Sequence, residues 1–183
     1  DNWRWLQRAS GVTAGAAVKA DGYGLGARAV TRLLAYAGWR ALFVSTWAEA
    51  EALGPLPEGA ELCVLHGVGA QDMQAALSGR ARPVLNTPAQ VARWKEAASD
   101  RPCDVMVDTG MNRLGLRTDE IGLLDGLQIH TLHSHLACAD EESAMNMVQR
   151  DRFLAIKVAV EARRYSLANS AGICLGRHYS FGL

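Results

Sequence analysis

The chain has 183 residues, 49% of them hydrophobic, which is enough apolar content for one soluble domain with a sizeable core and too much for a disordered chain. Nineteen Lys and Arg balance nineteen Asp and Glu, which excludes the single-sign field that draws a protein to nucleic acid or an anionic membrane and favours a small-molecule partner. Four cysteines, Cys63, Cys103, Cys138 and Cys174, show no CxxC pair, which argues against a zinc site and fits buried thiols in a reducing compartment, the cytoplasm.

The opening stretch, DNWRWLQRAS, reads as the body of a helix whose beginning lies outside the chain, and it carries no Met. A first short apolar strand is predicted at 16–18, then a helix over 27–37 with Gly38 as its C-cap, a strand at 41–44 and a helix over 47–53. Strands at 62–65 and 83–85 flank a helix over 71–77. A helix over 88–98 starts on Thr87 as N-cap with Pro88 at the first helical position. Strands at 104–107 and 129–136 follow, then a helix over 143–163 and a last strand at 166–168. The strands are continuously apolar rather than alternating, so both faces are expected to be buried in a parallel sheet flanked by helices. A β/α barrel and an open doubly wound sheet both satisfy this pattern. The five tryptophans, Trp3, Trp5, Trp39, Trp47 and Trp94, fall on predicted helices and are read as packing residues. No apolar run reaches the roughly 18 residues that a membrane helix needs, and no signal peptide is evident.

In parallel β/α folds chemistry sits at the carboxyl ends of strands. Lys19 ends the first strand here and is followed by DGYGLG, whose alternate glycines are read as room for a ligand. DTGMNRLG follows the fifth strand, SHLACADE closes the sixth and NSAG closes the seventh. Polar groups thus gather at one end of four strands. Singly, each has an ordinary reading: Lys19 as a solvated strand end, His135 as a satisfied core histidine, Arg113 as the partner of Asp108, Asn169 and Ser170 as a helix cap. His66, His130 and His133 are read as structural. The spacing Gly22, Gly24, Gly26 does not make a dinucleotide fingerprint, and the second strand ends in Ser45 and Thr46 rather than an acid.

Together, AVKADGYGLG, VDTGMNRLGL, SHLACADE and LANSAG resemble the motifs of the alanine racemase family in order and separation, and the likeness runs through nearly all of the chain. The resemblance implies an α/β fold, a (β/α)8 TIM-type barrel with about seven βα units in residues 1–183. Residues 179–183 would lead into an eighth strand, and a β-rich domain would follow beyond the chain, which is then part of a longer protein. It implies pyridoxal phosphate as cofactor, alanine as substrate, a homodimer and a cytoplasmic setting, with no metal. It further implies that Lys19 carries the cofactor on an imine and serves as one of two bases. Tyr23 would reach the phosphate, with Ser170 and the adjoining Asn169. Arg113 would orient the ring and the substrate side, and His135 would pack against the ring. The second base, in the family a tyrosine of the partner subunit's C-terminal domain, has no position here. Many members have a lysine where this chain has Met106, which puts the support of Arg113 in question. Two alternatives share these motifs: a single-domain barrel that holds the cofactor without racemising amino acids, and a racemase of broader specificity.

Overall fold

In the computed structural model, which describes residues 2–183, the apolar runs become seven strands. They are β1 (Ala16–Ala17), β2 (Ala41–Val44), β3 (Glu61–Val64), β4 (Arg82–Leu85), β5 (Cys103–Met106), β6 (Ile129–His133) and β7 (Arg164–Ser166). All neighbouring strands are parallel and pair in sequence order. Such pairs need crossovers, supplied by helices Ala27–Ala37, Trp47–Ala52, Met73–Leu77, Pro88–Ala98 and Ala144–Ala159 and, between β5 and β6, by the 3-10 segment Thr118–Leu124. Thr87 accepts a hydrogen bond from the Gln90 N–H at 3.2 Å, and Gly38 takes φ 93° after its helix, as the cap chemistry predicts.

The sheet curls into an open half-barrel. Its curvature is visible in contacts across the interior: Arg164 on β7 reaches Glu61 on β3 at 2.5 Å, and the His133 ring of β6 meets the Phe43 ring of β2 edge-on with centroids 5.6 Å apart. Beyond β7, the N–H groups of Gly182 and Leu183 both donate to the Tyr165 carbonyl, so the last residues lie beside β7. Across the opening, Arg177 donates to the carbonyls of Ala9 and Arg8 and ties the helix Asn2–Ser10 to the end of the chain.

The outward faces of the strands build the core. Leu42, Val44, Leu62 and Val64 pack with Trp39 and Leu53, while Leu85, Val105, Leu132 and Leu167 pack with Trp94, Phe153 and Ile156. Burying one such Leu or Val contributes about 1.5–3 kcal/mol. The inward face departs from the expectation of apolar strands on both sides. It carries Glu61, Cys63, Arg82, Asp104, His130, His133 and Arg164, which bond to one another: Asp104 accepts from Arg82 at 3.2 Å and from the Cys63 thiol at 3.0 Å, and Arg82 also donates to Glu61 at 2.9 Å. Burial alone would push the Asp104 carboxyl up, but His133, Arg82 and Cys63 reverse that and hold it well below the ordinary carboxylate range.

This charged interior explains a shift in register. The last strand is predicted at 166–168 from its apolar run, yet the ladder pairs Arg164 with Thr131 and Ser166 with His133, so the apolar run marks the strand's exit. The long helix stops at Ala159 rather than 163 because Val160 turns extended (φ −121°, ψ 116°) and is buried. The predicted helix over 71–77 opens as a 3-10 turn, Ala70–Asp72, before its α-helical part. Among the tryptophans, Trp39 sits just past a helix rather than on one and is buried with Trp94, whereas Trp5 is half exposed.

Candidate active site

The site begins where β1 ends. Val18 extends the ladder by donating its N–H to the Phe43 carbonyl at 2.9 Å, and Lys19 emerges at the strand's carboxyl end. The chain then takes a left-handed turn: Ala20, Asp21, Gly22 and Tyr23 have φ of 51°, 50°, 64° and 56°. For residues with a Cβ this costs about 1–2 kcal/mol each, so the turn must be held from outside. Its bonds run from Gly22 N–H to Val18 O at 2.9 Å and from Gly24 N–H to Ala20 O at 3.0 Å, and the Asp21 carboxylate accepts from Ala27 N–H at 2.7 Å. The glycines therefore serve this turn rather than open room for a ligand. A Cβ on Gly22 would lie 3.2 Å from the Ala27 backbone, and Gly24 has open space around it but φ of 85°.

Arg113 is presented by the loop after β5. One carboxylate oxygen of Asp108 accepts from the backbone N–H groups of Gly110, Met111 and Asn112 at 2.8, 2.9 and 3.1 Å, which folds the loop back over its own start. The predicted alternative partner of Arg113 is thus occupied with backbone. Leu116 re-enters beside Val107, its N–H bonded to Met106 O at 2.9 Å, and locks the far end of the loop.

His135 follows β6, and its carbonyl is held by Gln149 of the helix Ala144–Ala159. Gln149 is fully buried and donates to His135 O at 2.8 Å and to the Thr109 hydroxyl at 3.2 Å, while its oxygen accepts from Ala137 N–H at 2.8 Å. Thr109 in turn shares a hydrogen bond with Ser134 at 2.8 Å, so the β5 and β6 exits are bonded to each other as well as to Gln149. Burial first, and then the nearby positive charges of Arg113 and Lys19, depress the His135 imidazole below its ordinary value. A neutral ring at pH 7 is the form suited to lying against an aromatic ligand. After β7, Asn169 caps the short helix Ser170–Cys174 by accepting from Gly172 N–H at 2.8 Å. Its oxygen is thereby committed to the backbone, with Ser170 beside it.

Lys19, Tyr23, Arg113, His135, Asn169 and Ser170 all line one cavity of about 840 Å³ at the carboxyl ends of the strands. All six residues singled out in the sequence are brought together, from four strand ends. Met106 lies in its floor, together with Phe43 and His133. His66 and His133, expected to be structural, also line the cavity, and His133 stands 3.5 Å from the Asp104 carboxylate. Only the inward register of His133 on β6 could have signalled this, and the apolar look of the strand hid it. His130, by contrast, lies among Glu61, Asp104 and Arg164 and does not line the cavity.

The family model for the alanine racemase N-terminal domain matches residues 1–182. The chain is 42% identical over 187 residues to the alanine racemase of Acidiphilium cryptum, covering 96% of this chain and 52% of that protein. It is 41% identical over 193 residues to that of Dinoroseobacter shibae, covering 100% of this chain and 54% of the relative. The chain therefore spans about half the length of the curated relatives it matches. Among solved structures it superposes on alanine racemase from Bartonella henselae with covalently bound pyridoxal phosphate at a TM-score of 0.91, with 30% identity over all of this chain and 57% of that one. The biosynthetic alanine racemase of Pseudomonas aeruginosa gives a TM-score of 0.87 at 28% identity over 99% of this chain and 53% of its own. The half-barrel, the order of its motifs and these matches lead to one conclusion: the chain belongs to the alanine racemase N-terminal domain family.

Proposed function

We propose that this chain is the cofactor-binding barrel of a pyridoxal-phosphate-dependent alanine racemase that interconverts L- and D-alanine in the cytoplasm and works as a homodimer in its full-length form. The observation that carries the reading is the convergence of Lys19, Tyr23, Arg113, His135, Asn169 and Ser170 on one cavity. The donor set fits an aromatic aldehyde bearing a phosphate. It offers an amine that can condense with the aldehyde, a phenol and a hydroxyl for phosphate oxygens, and a ring with depressed basicity for stacking. When bound, pyridoxal phosphate supplies an electron sink for the carbon left when an α-proton is removed.

In this reading Lys19 holds the cofactor and moves a proton at its Nζ on one face of the substrate. Tyr23 and Ser170 bind the phosphate, with Asn169 shaping the turn on which Ser170 sits. Arg113 would orient ring and substrate from the Asp108 loop, and His135 would pack against the ring. Racemisation needs a second base on the opposite face, and the matched relatives have about as much chain again in which to carry one. The test is D-alanine formation by the full-length protein with added pyridoxal phosphate, against a Lys19→Ala variant. Turnover in the first and none in the second supports the proposal. Turnover that survives Lys19→Ala refutes it.

A further inference from the structure

The carboxylate of Glu49, half-buried on the helix Trp47–Ala52, is shared by backbone donors from two strand ends. Oε2 accepts from Ser45 N–H at 2.6 Å and Thr46 N–H at 3.3 Å, while the Glu49 N–H donates to the Thr46 hydroxyl at 3.2 Å. That is a capping box, which starts a helix and needs only one side-chain oxygen from the third residue. Oε1 does something the cap does not require: it accepts from the N–H of Ala20, 29 residues away, at 2.9 Å.

Ala20 follows Lys19 directly and opens the left-handed turn, with φ 51° and ψ 50° in a residue that has a Cβ. The other bonds of the turn come from its own segment, Val18 to Ala27. Beside the ladder bond from Val18 N–H to Phe43 O, the Ala20 bond ties the entry of the turn to the helix after β2, at the point where the lysine leaves the sheet. Burial alone would raise the Glu49 carboxyl, but the amides of Ala20, Ser45 and Thr46 together bring it below the ordinary carboxylate value, so it is ionised at neutral pH and accepts strongly.

We propose that Glu49 is a positioning residue for Lys19: through the Ala20 N–H it holds the left-handed turn, and with it the direction in which the lysine amine enters the cavity. This rests on the reading of Lys19 as the cofactor-bearing lysine. Glu49 touches neither substrate nor cofactor in this account and acts only through the backbone.

The test uses the full-length holoenzyme and compares Glu49→Gln, Thr46→Ala and the double variant Glu49→Gln/Ala20→Gly. Glutamine keeps one oxygen for the capping box but faces Ala20 N–H with an amide nitrogen. Losing a hydrogen bond to a charged acceptor predicts an apparent cofactor affinity about 10- to 100-fold lower in Glu49→Gln, followed by the absorbance of the cofactor–lysine imine. Glycine enters the left-handed region without penalty, so the double variant should recover most of that loss. Thr46→Ala breaks the cap without touching Ala20 and should lower thermal stability while leaving cofactor affinity at the wild-type value.

Wild-type affinity in Glu49→Gln, or an equal loss of affinity in Thr46→Ala, overturns the proposal. If Glu49→Gln does not fold, hydrogen exchange at the Ala20 amide of the wild-type protein decides. Protection like that of the central strands supports the role, and exchange at the rate of an open peptide overturns it. A wild-type protein that forms no imine defeats the reading of Lys19 and this proposal with it, whereas a normal imine untouched by Glu49→Gln defeats only the positioning role.

Discussion

Replacing Gln149 by leucine probes how the site is held more sharply than replacing any residue that lines it. The helix Ala144–Ala159 buries Asn146, Gln149, Phe153 and Ile156, so its inner stripe is polar at the end near the strand exits and apolar toward the other end. Leucine keeps the volume and the helix propensity of this position but offers no hydrogen bonds. The Thr109 hydroxyl would retain its bond to Ser134, whereas His135 O and Ala137 N–H would each lose a partner. Two partly buried backbone groups left unpaired at about 1–3 kcal/mol each, offset by the easier burial of leucine, predict a loss of about 2–4 kcal/mol. Urea denaturation of the full-length protein measures this through the shift in midpoint at constant slope. The same variant should loosen the β5 and β6 exits, read as faster hydrogen exchange at Ala137 and a weaker cofactor signal. A stability change under about 0.5 kcal/mol, the range of an indifferent surface substitution, would show that Gln149 is not holding these loops.

Asp104→Asn removes the charge at the centre of the interior network and leaves Arg82 with Glu61 alone. Breaking a buried pair in this way is expected to cost about 3–5 kcal/mol in urea unfolding, and a loss below about 1 kcal/mol would contradict the network's role. Gly115→Ala places a Cβ 2.7 Å from Asp108 N and 2.8 Å from Val107 C at φ of 120°. Neither atom can give way, so a destabilisation of at least about 2 kcal/mol is expected, with the Arg113 loop displaced, and a neutral substitution would refute the loop geometry. Stability should also fall with acid in two stages. Burial first, and then positive neighbours, depress His130 and His135, so as pH drops through the unfolded histidine value of about 6.5 the unfolded chain takes up protons first and folding weakens. Asp104, Glu61 and Glu49 are also depressed, and their contribution, present above about pH 4, is lost below it as pH falls toward their folded values. Urea unfolding at a series of pH values checks this, and stability that rises between pH 7 and pH 5 would contradict it.

The strand and helix alternation was legible because outward faces and crossover helices follow hydrophobic period and cap chemistry: helices 27–37 and 88–98 begin and end where Gly38, Thr87 and Pro88 say they should. The cavity residues were legible as polar groups at strand ends. Two things were not. The barrel interior pairs polar groups that are far apart in the chain, Glu61 with Arg164 and the Cys63 thiol with Asp104, and no local pattern marks partners 103 and 41 residues away. The reason for the glycines after Lys19 was hidden too, because a left-handed turn held by Glu49 is a tertiary fact. Ala20 and Tyr23 adopt positive φ with no glycine to announce it.

The central claim is that Lys19 is the residue that takes the cofactor. The chain contains three lysines, Lys19, Lys95 and Lys157, and only Lys19 lines the cavity. Incubating the full-length protein with pyridoxal phosphate, reducing the imine with borohydride and mapping the modified peptides by mass spectrometry tests the claim directly. The account predicts stoichiometric label on the peptide bearing Lys19, with Lys95 and Lys157 free of it. Label on either of those two at comparable level, or none on Lys19, would contradict it.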